Sequence, residues 1–157
     1  IDRVDIKGDT INIVDYKTGR SSRESKTSLD NIFAHETSSA GYRLQAFLYS
    51  IMLDELLKGC KCIGNGDFEW IEKVRKECAR KIAPSLLYIH DPENSLRESF
   101  IVDVLKNPVT DITDIKEEYM QKLTEVLQEI FDASKPFTPA KNERTCEYCD
   151  YRKICGK

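Results

Sequence analysis

The chain has 157 residues, with 24 Lys and Arg against 27 Asp and Glu, a formal net charge of −3 and 40% hydrophobic residues, enough for one domain with a core of its own. This balance announces no nucleic-acid partner for the molecule as a whole, so any such binding must use a local basic patch. No run of about eighteen apolar residues suits a membrane span and no signal-peptide pattern opens the chain; it reads as cytosolic, where six cysteines point to a metal or cluster site plus buried thiols rather than three disulfides.

Residues 1–6 and 11–16 are apolar-flanked runs that bracket Lys7-Gly8-Asp9-Thr10, and this pattern predicts a β-hairpin. The first run starts with no lead-in, as expected of a fragment or of a domain cut from a longer protein. Strand side chains alternate with period two, so Asp15 and Lys17 point the same way. Asp2, on the neighbouring strand, joins them if the register allows it. Two hard oxygen ligands for a divalent cation would then lie beside a lysine able to hold a water or a phosphate oxygen. Such a set suits phosphodiester hydrolysis.

Residues 19–39 are rich in Ser, Thr, Arg and Lys without a sustained apolar period, and read as a long loop. Lys17, Arg20, Arg23 and Lys26 give it a cationic start that could meet a phosphate backbone, although a solvated loop explains each of them singly. His35 has no motif around it and is assigned no chemical role. A helix is predicted over 39–58, with Leu44, Phe47, Leu48, Ile51 and Met52 at helical spacing, Ser38 or Ser39 as cap and Gly59 as stop. Tyr42, Gln45 and Tyr49 fall on the edge of that stripe, where their polar tips can reach the neighbouring face. An amphipathic helix edge accounts for them equally well in isolation.

Over 60–82, Cys60-Lys61-Cys62 precedes a Gly-Asn-Gly turn, and Asp67 can cap a helix that turns Phe68, Ile71, Val74 and Cys78 inward. Their spacing is poor for a metal, so these cysteines read as structural or incidental thiols. Pro84 opens a near-continuous apolar run over 85–90, expected of a strand buried on both faces and reached by a parallel crossover. His90, at its end, reads as a satisfied or exposed terminal histidine. Another short strand is expected over 99–105, broken by Asn107-Pro108. The last helix is predicted over 114–132, with Asp114 and Glu117 as cap and reciprocal partner. Its core stripe is Ile115, Tyr119, Leu123, Val126, Leu127, Ile130 and Phe131, and Pro136 and Pro139 stop it.

The chain closes with Cys146, Cys149 and Cys155, a C-x2-C-x5-C pattern within ten residues. Three thiols this close usually share a metal; zinc or a cubane iron–sulfur cluster would each want a fourth ligand.

Asp2, followed after twelve residues by Asp15-Tyr16-Lys17, resembles the D…(D/E)-x-K signature of the PD-(D/E)xK nuclease superfamily. The phrasing Ile1-Asp2-Arg3-Val4-Asp5 and Val14-Asp15-Tyr16-Lys17-Thr18-Gly19 resembles its RecB-type branch. Gln45-x-x-x-Tyr49 is similar to the Q-x-x-x-Y helix of that branch, and the cysteine triplet to the iron–sulfur staple of AddB-type and CRISPR-adaptation exonucleases. The resemblance implies an α/β, restriction-endonuclease-like fold: a mixed central sheet flanked by helices, with a nuclease core over 1–133 and a cysteine tail over 134–157. It further implies a metal-dependent DNA nuclease, an exonuclease of DNA repair or recombination. Asp2, Asp15 and the Tyr16 carbonyl would hold Mg²⁺ or Mn²⁺, Lys17 would orient water or offset charge, and Gln45 and Tyr49 would position DNA and the lysine, with Tyr42 a lesser candidate. Asp5 points away from Asp2 in a regular strand and keeps a supporting or structural place. In the family a helix before the first strand carries a further Glu or His, and the fourth cluster cysteine also lies upstream. A 4Fe-4S cluster is therefore expected in a full-length parent, while in this chain Cys60, Cys62 or Cys78 substitutes or the tail is metal-free. A helicase subunit or domain is an implied partner besides DNA, with no membrane. The alternatives are a nuclease-derived DNA-binding module without hydrolysis and a metal-stapled interaction domain; DNA cutting separates both from the enzyme.

Overall fold

The computed structural model describes residues 1–18, 26–34, 39–58, 81–89, 98–99, 101–102, 107–136, 146–147 and 149–156. Strands β1 (Arg3–Lys7) and β2 (Thr10–Lys17) form the predicted hairpin, registered from Arg3 opposite Val14 to Lys7 opposite Thr10. Gly8 takes φ +61° at the first central position of the two-residue loop, a left-handed conformation that glycine adopts without a Cβ clash. β3 (Lys26–Thr27), α1 (Leu29–Phe33) and α2 (Ala40–Leu57) follow, then β4 (Lys81–Tyr88), which runs parallel to β2 as expected of a crossover. β5 (Glu98–Ser99), β6 (Ile101–Val102) and β7 (Asn107–Pro108) precede a 3₁₀ turn at Ile112–Asp114 and α3 (Lys116–Phe131).

The central sheet has the order β1-β2-β4-β5 and mixes antiparallel with parallel pairs; β3, β6 and β7 make a second small sheet. This is the mixed sheet with flanking helices that the sequence predicts. The core joins Ile11 and Ile13 of β2 and Ile82, Leu86 and Tyr88 of β4 to Phe47 and Ile51 of α2. Alternation therefore puts residues 11, 13, 15 and 17 of β2 on the face that α2 covers. Tyr119 of α3 is fully buried, its rings packing on Phe33 and Phe47 and its hydroxyl donating to the Leu44 carbonyl at 2.8 Å. Burial pushes that phenol up to about 12.

Several elements differ from the sequence reading. The stretch read as a continuous loop contains β3 and α1, where Ser28 accepts from the Asn31 amide at 3.2 Å and Leu29 and Ile32 are buried. Met52 is exposed, because the buried face of α2 is turned towards Arg43, Ser50 and Asp54 and away from Met52. Pro84 lies inside β4 rather than opening it; β5 reaches only Ser85 and Leu86, so the missing proline N–H costs no described ladder bond. Asn107-Pro108 pairs with β6 instead of only breaking a strand. Asp111, not Asp114, is the capping carboxylate: it accepts from the Thr113 amide at 3.2 Å, and the turn it starts runs into α3. His35, Cys60, Cys62, Asp67, Cys78 and His90 lie outside the described residues.

The chain divides into two compact units, Ile1–Leu123 and Thr124–Lys157. In the second, Leu127, Ile130 and Phe131 are exposed although the periodicity assigns them to a core stripe. Among the described residues no helix is long and apolar enough to cross a membrane.

One buried charge fixes the end of α2 in the first unit. Asp54 accepts hydrogen bonds from Lys116 at 2.6 Å and from Lys58 at 2.7 Å, and Lys116 also pairs with Glu55. Burial pushes the Asp54 carboxyl up, but the hydrogen bonds and charges of Lys116 and Lys58 outweigh it and hold the group below the ordinary carboxylate value. For Lys116, burial works downward, and its bonds to Asp54 and Glu55 carry it above the ordinary ammonium value. A depressed carboxyl contributes stability above its unfolded value of about 3.9 and loses it as pH falls through the folded one. Asp54→Asn should cost roughly 1–3 kcal/mol at pH 7 and flatten the acid limb of the stability curve, measured by urea unfolding between pH 7 and pH 2.5.

Candidate active site

The hairpin and α2 bring the sequence-predicted residues together at the carboxyl end of β2. Asp15 is buried, with its side chain 8% exposed, and Lys17 lies two residues on along the same face with its side chain 15% exposed. The Lys17 ammonium is ion-paired with Asp15 Oδ2. That oxygen is inaccessible and receives no hydrogen bond of good geometry, so charge rather than a directed bond satisfies it.

The same ammonium donates to Gln45 Oε1 at 3.3 Å, and Gln45 Nε2 donates to the Tyr49 hydroxyl at 2.8 Å. Gln45 and Tyr49 are one helical turn apart, so a single face of α2 presents both. The second bond fixes the first: with its NH₂ committed to Tyr49, the amide turns its carbonyl to the lysine. Tyr42, one turn earlier on α2, lays its ring against Lys17 with the ammonium 4.4 Å from the centroid. The aromatic contact is legible only as spacing, because Tyr42 stands three residues before Gln45. Arg43 is missed entirely by the sequence: it belongs to the buried face of α2 at 1% exposure, where periodicity alone would put an apolar residue.

Asp2 reaches the site from the β1 side. It stands one residue beyond the last registered pair, Arg3–Val14; its amide donates to the Val14 carbonyl at 3.3 Å and its Oδ2 accepts from the Tyr16 amide at 2.6 Å. The Lys17 carbonyl is taken on the β4 side by the Ile89 amide at 3.0 Å. Carbonyls alternate sides along a strand, so the Tyr16 carbonyl points towards β1, where the Asp2 carboxylate lies. Arg3 pairs with Asp5 at 2.9 Å and lies over the Tyr16 ring at 5.8 Å. Asp5 is thereby a partner of Arg3.

These donors suit a hard divalent cation. Asp15 offers a buried carboxylate oxygen without a directed donor, Asp2 keeps one oxygen outside its bond to Tyr16, and a backbone carbonyl completes an all-oxygen set. Among the described residues no three His, Cys, Asp or Glu side chains gather as a ligand group, so the set rests on two carboxylates and the carbonyl. A separate cavity of about 500 Å³, lined by Lys7, Thr10, Asn12, Lys81 and Ser85 among others, lies at the opposite end of β2 and β4 and includes none of these residues.

In the second unit Cys146, Cys149 and Cys155 are free thiols, the first two half-buried and the third exposed. The Cys149 amide donates to the Cys146 carbonyl at 3.3 Å. Three thiols fall one ligand short of a closed four-coordinate site, and the candidate fourth cysteines lie outside the described residues. The set does not fit a cluster as it stands, and no chemical step is assigned to it.

A family model described as the PD-(D/E)XK nuclease superfamily matches residues 1–156. No curated protein and no solved structure matches the chain.

Lys17 and a cation on Asp15 would compete for one carboxylate. Lys17→Met should therefore tighten Mn²⁺ binding by on the order of tenfold, and Asp15→Asn should weaken it by at least as much, both read from an electron-spin-resonance titration. Unchanged affinity in Lys17→Met would mean that the ammonium and the cation do not share Asp15.

Proposed function

The chain belongs to the PD-(D/E)XK nuclease superfamily, whose members are in general metal-dependent nucleases, and from that premise we propose that it hydrolyses phosphodiester bonds in DNA. The observation that carries the proposal is the Lys17 ammonium, which is ion-paired with Asp15 and donates to Gln45, whose amide is held in turn by Tyr49. A lysine held this way is positioned by neutral groups from α2 and charge-matched by a carboxylate from its own strand.

Asp2, Asp15 and the Tyr16 carbonyl hold Mg²⁺ or Mn²⁺ in this proposal. The bound cation would take a non-bridging phosphate oxygen and lower the pKa of a water. Lys17, a donor with no acceptor capacity while charged, orients that water or donates to the oxygen on which negative charge grows as the phosphorus becomes five-coordinate. Gln45 sets where the ammonium can stand, and Tyr49 sets Gln45. The leaving group is the 3′-oxygen of DNA.

The finer assignment is a RecB-type exonuclease of DNA repair or recombination acting in the cytoplasm. Its support is the order of motifs: Asp2, Asp15-x-Lys17, Gln45-x-x-x-Tyr49, then the cysteine triplet. On the same ground the tail is assigned to a 4Fe-4S staple, which needs a fourth ligand beside its three cysteines, and a helicase subunit or domain to the partner.

Degradation of single-stranded and double-stranded DNA should require Mg²⁺ or Mn²⁺ and stop with a chelator. Lys17→Ala and Asp15→Asn should each lower the rate by about 10²–10³-fold, with DNA binding retained in a mobility-shift assay. DNA binding without cutting by the native chain would leave a non-catalytic nuclease-derived module.

A further inference from the structure

Lys17 has three partners in the site, and they respond differently to a cation. The Asp15 carboxylate holds the ammonium by charge, and this is the partner that a divalent ion would take over. With a cation on Asp15 the charge of that carboxylate would be spent there, and the ammonium would face a like-charged neighbour instead of an anion. The other two partners are neutral and come from α2: Gln45 Oε1 at 3.3 Å and the Tyr42 ring at 4.4 Å from its centroid. Neither is a preferred ligand of a hard cation beside two carboxylates.

The face of an aromatic ring carries negative electrostatic potential and attracts an ammonium within about 6 Å. That attraction survives when the carboxylate is taken. We propose that Tyr42 is a positioning residue: its ring, together with Gln45, keeps the Lys17 ammonium at the reaction centre when a divalent cation occupies Asp15. The inference rests on the nuclease reading for its consequence in turnover, and on the geometry alone for the contact. Because the ring face provides the attraction, phenylalanine can replace Tyr42 in this role and an aliphatic side chain cannot. Tyr42 is 43% exposed, so its replacement leaves the core intact. Among the residues on this face of α2, Tyr42 and Gln45 act on Lys17 directly, whereas Tyr49 acts through Gln45.

The test reads the lysine by nuclear magnetic resonance and then turnover. The ε-methylene protons of Lys17, assigned by their loss in Lys17→Met, should carry an upfield ring-current shift in the native chain and in Tyr42→Phe. That shift should persist with saturating Mg²⁺ and be lost in Tyr42→Leu, with Tyr42→Gln as a second non-aromatic variant. In DNA cutting, Tyr42→Leu should lower kcat about 3–10-fold with KM within about twofold, and Tyr42→Phe should restore it. The proposal is overturned if the native chain shows no ring-current shift, if Mg²⁺ abolishes the shift, or if Tyr42→Phe behaves as Tyr42→Leu does. A native chain that does not cut DNA defeats the nuclease reading, and the spectra with and without Mg²⁺ still decide the role of Tyr42.

Discussion

Two opposite charges on the inner face of β2 set the terms for everything around them. Asp15 is almost wholly removed from water, and a carboxylate in that position is costly unless a cation compensates it. Lys17 supplies the charge from the next residue on the same face, and the pair can exist only if the strand alternates regularly from Asp15 to Lys17. β2 is held to that regularity from both sides, antiparallel to β1 and parallel to β4. A one-residue slip would turn Asp15 and Lys17 to the opposite face and bring Tyr16 under α2. The hydrophobic residues Ile11 and Ile13 share the inner face with the two charges, so the burial that fixes the core also fixes the register of the site.

The second half of the arrangement comes from a different periodicity. Helix α2 offers Tyr42, Gln45 and Tyr49 along one edge while its broad buried face packs on the sheet. A strand with period two and a helix with period near 3.6 meet at one ammonium. Gln45 is the joint: its carbonyl receives Lys17 and its NH₂ gives to Tyr49, which removes the freedom of the amide to turn over. Packing farther out supports this geometry. Tyr119 donates to the carbonyl of Leu44, the residue just before Gln45, and packs edge-to-face on Phe47 two residues beyond it; Asp54 ties the end of the helix to Lys116. Both contacts restrain the rotation of α2 about its axis, the motion that would carry Gln45 away from Lys17.

The legible parts of the chain are those where a short-range repeat carries the information. The hairpin follows from two alternating runs around Gly8, the helix at 40–57 from its apolar spacing, and the parallel strand from an apolar run too continuous to have a wet face. Strand spacing puts Asp15 and Lys17 on one face, and helix spacing puts Gln45 and Tyr49 on another; that the two pairs meet, with Asp2 beside them, is implied by the family resemblance and by no local spacing. What escapes is what depends on partners distant in sequence. Leu29, Ile32 and Phe33 have helical spacing but too short a run to stand out from a polar stretch, and it is packing on the core that makes α1. Leu127, Ile130 and Phe131 continue an apolar stripe correctly read as helical, yet nothing in the stripe states how far along it the core extends. Arg43 is the inverse case, a charged residue on the buried face whose environment no local pattern specifies.

The position of the cluster along the sheet governs how a ligand can approach it. β2 and β4 run parallel and finish side by side at Lys17 and Tyr88, so the site stands beyond the carboxyl ends of two parallel strands. In open mixed sheets the crevice outside such ends is where the chain leaves space for a ligand. The two carboxylates are reached there from different sides: Asp15 from the face under α2, and Asp2 from the β1 edge, where the Tyr16 carbonyl also points. Asp15 is buried and the Lys17 side chain nearly so, whereas Tyr42, the aromatic partner of that ammonium, is exposed. The Asp15–Lys17 pair is thus a sheltered part of the cluster and the Tyr42 ring an open one. In the proposed function an incoming phosphate is repelled by the carboxylates, and without a cation Lys17 alone would offset the repulsion from Asp15. On that proposal this is the physical reason for pairing a divalent ion with Lys17: the ion would neutralise the carboxylates, and the ammonium would then be released from Asp15 to receive the charge on the phosphate.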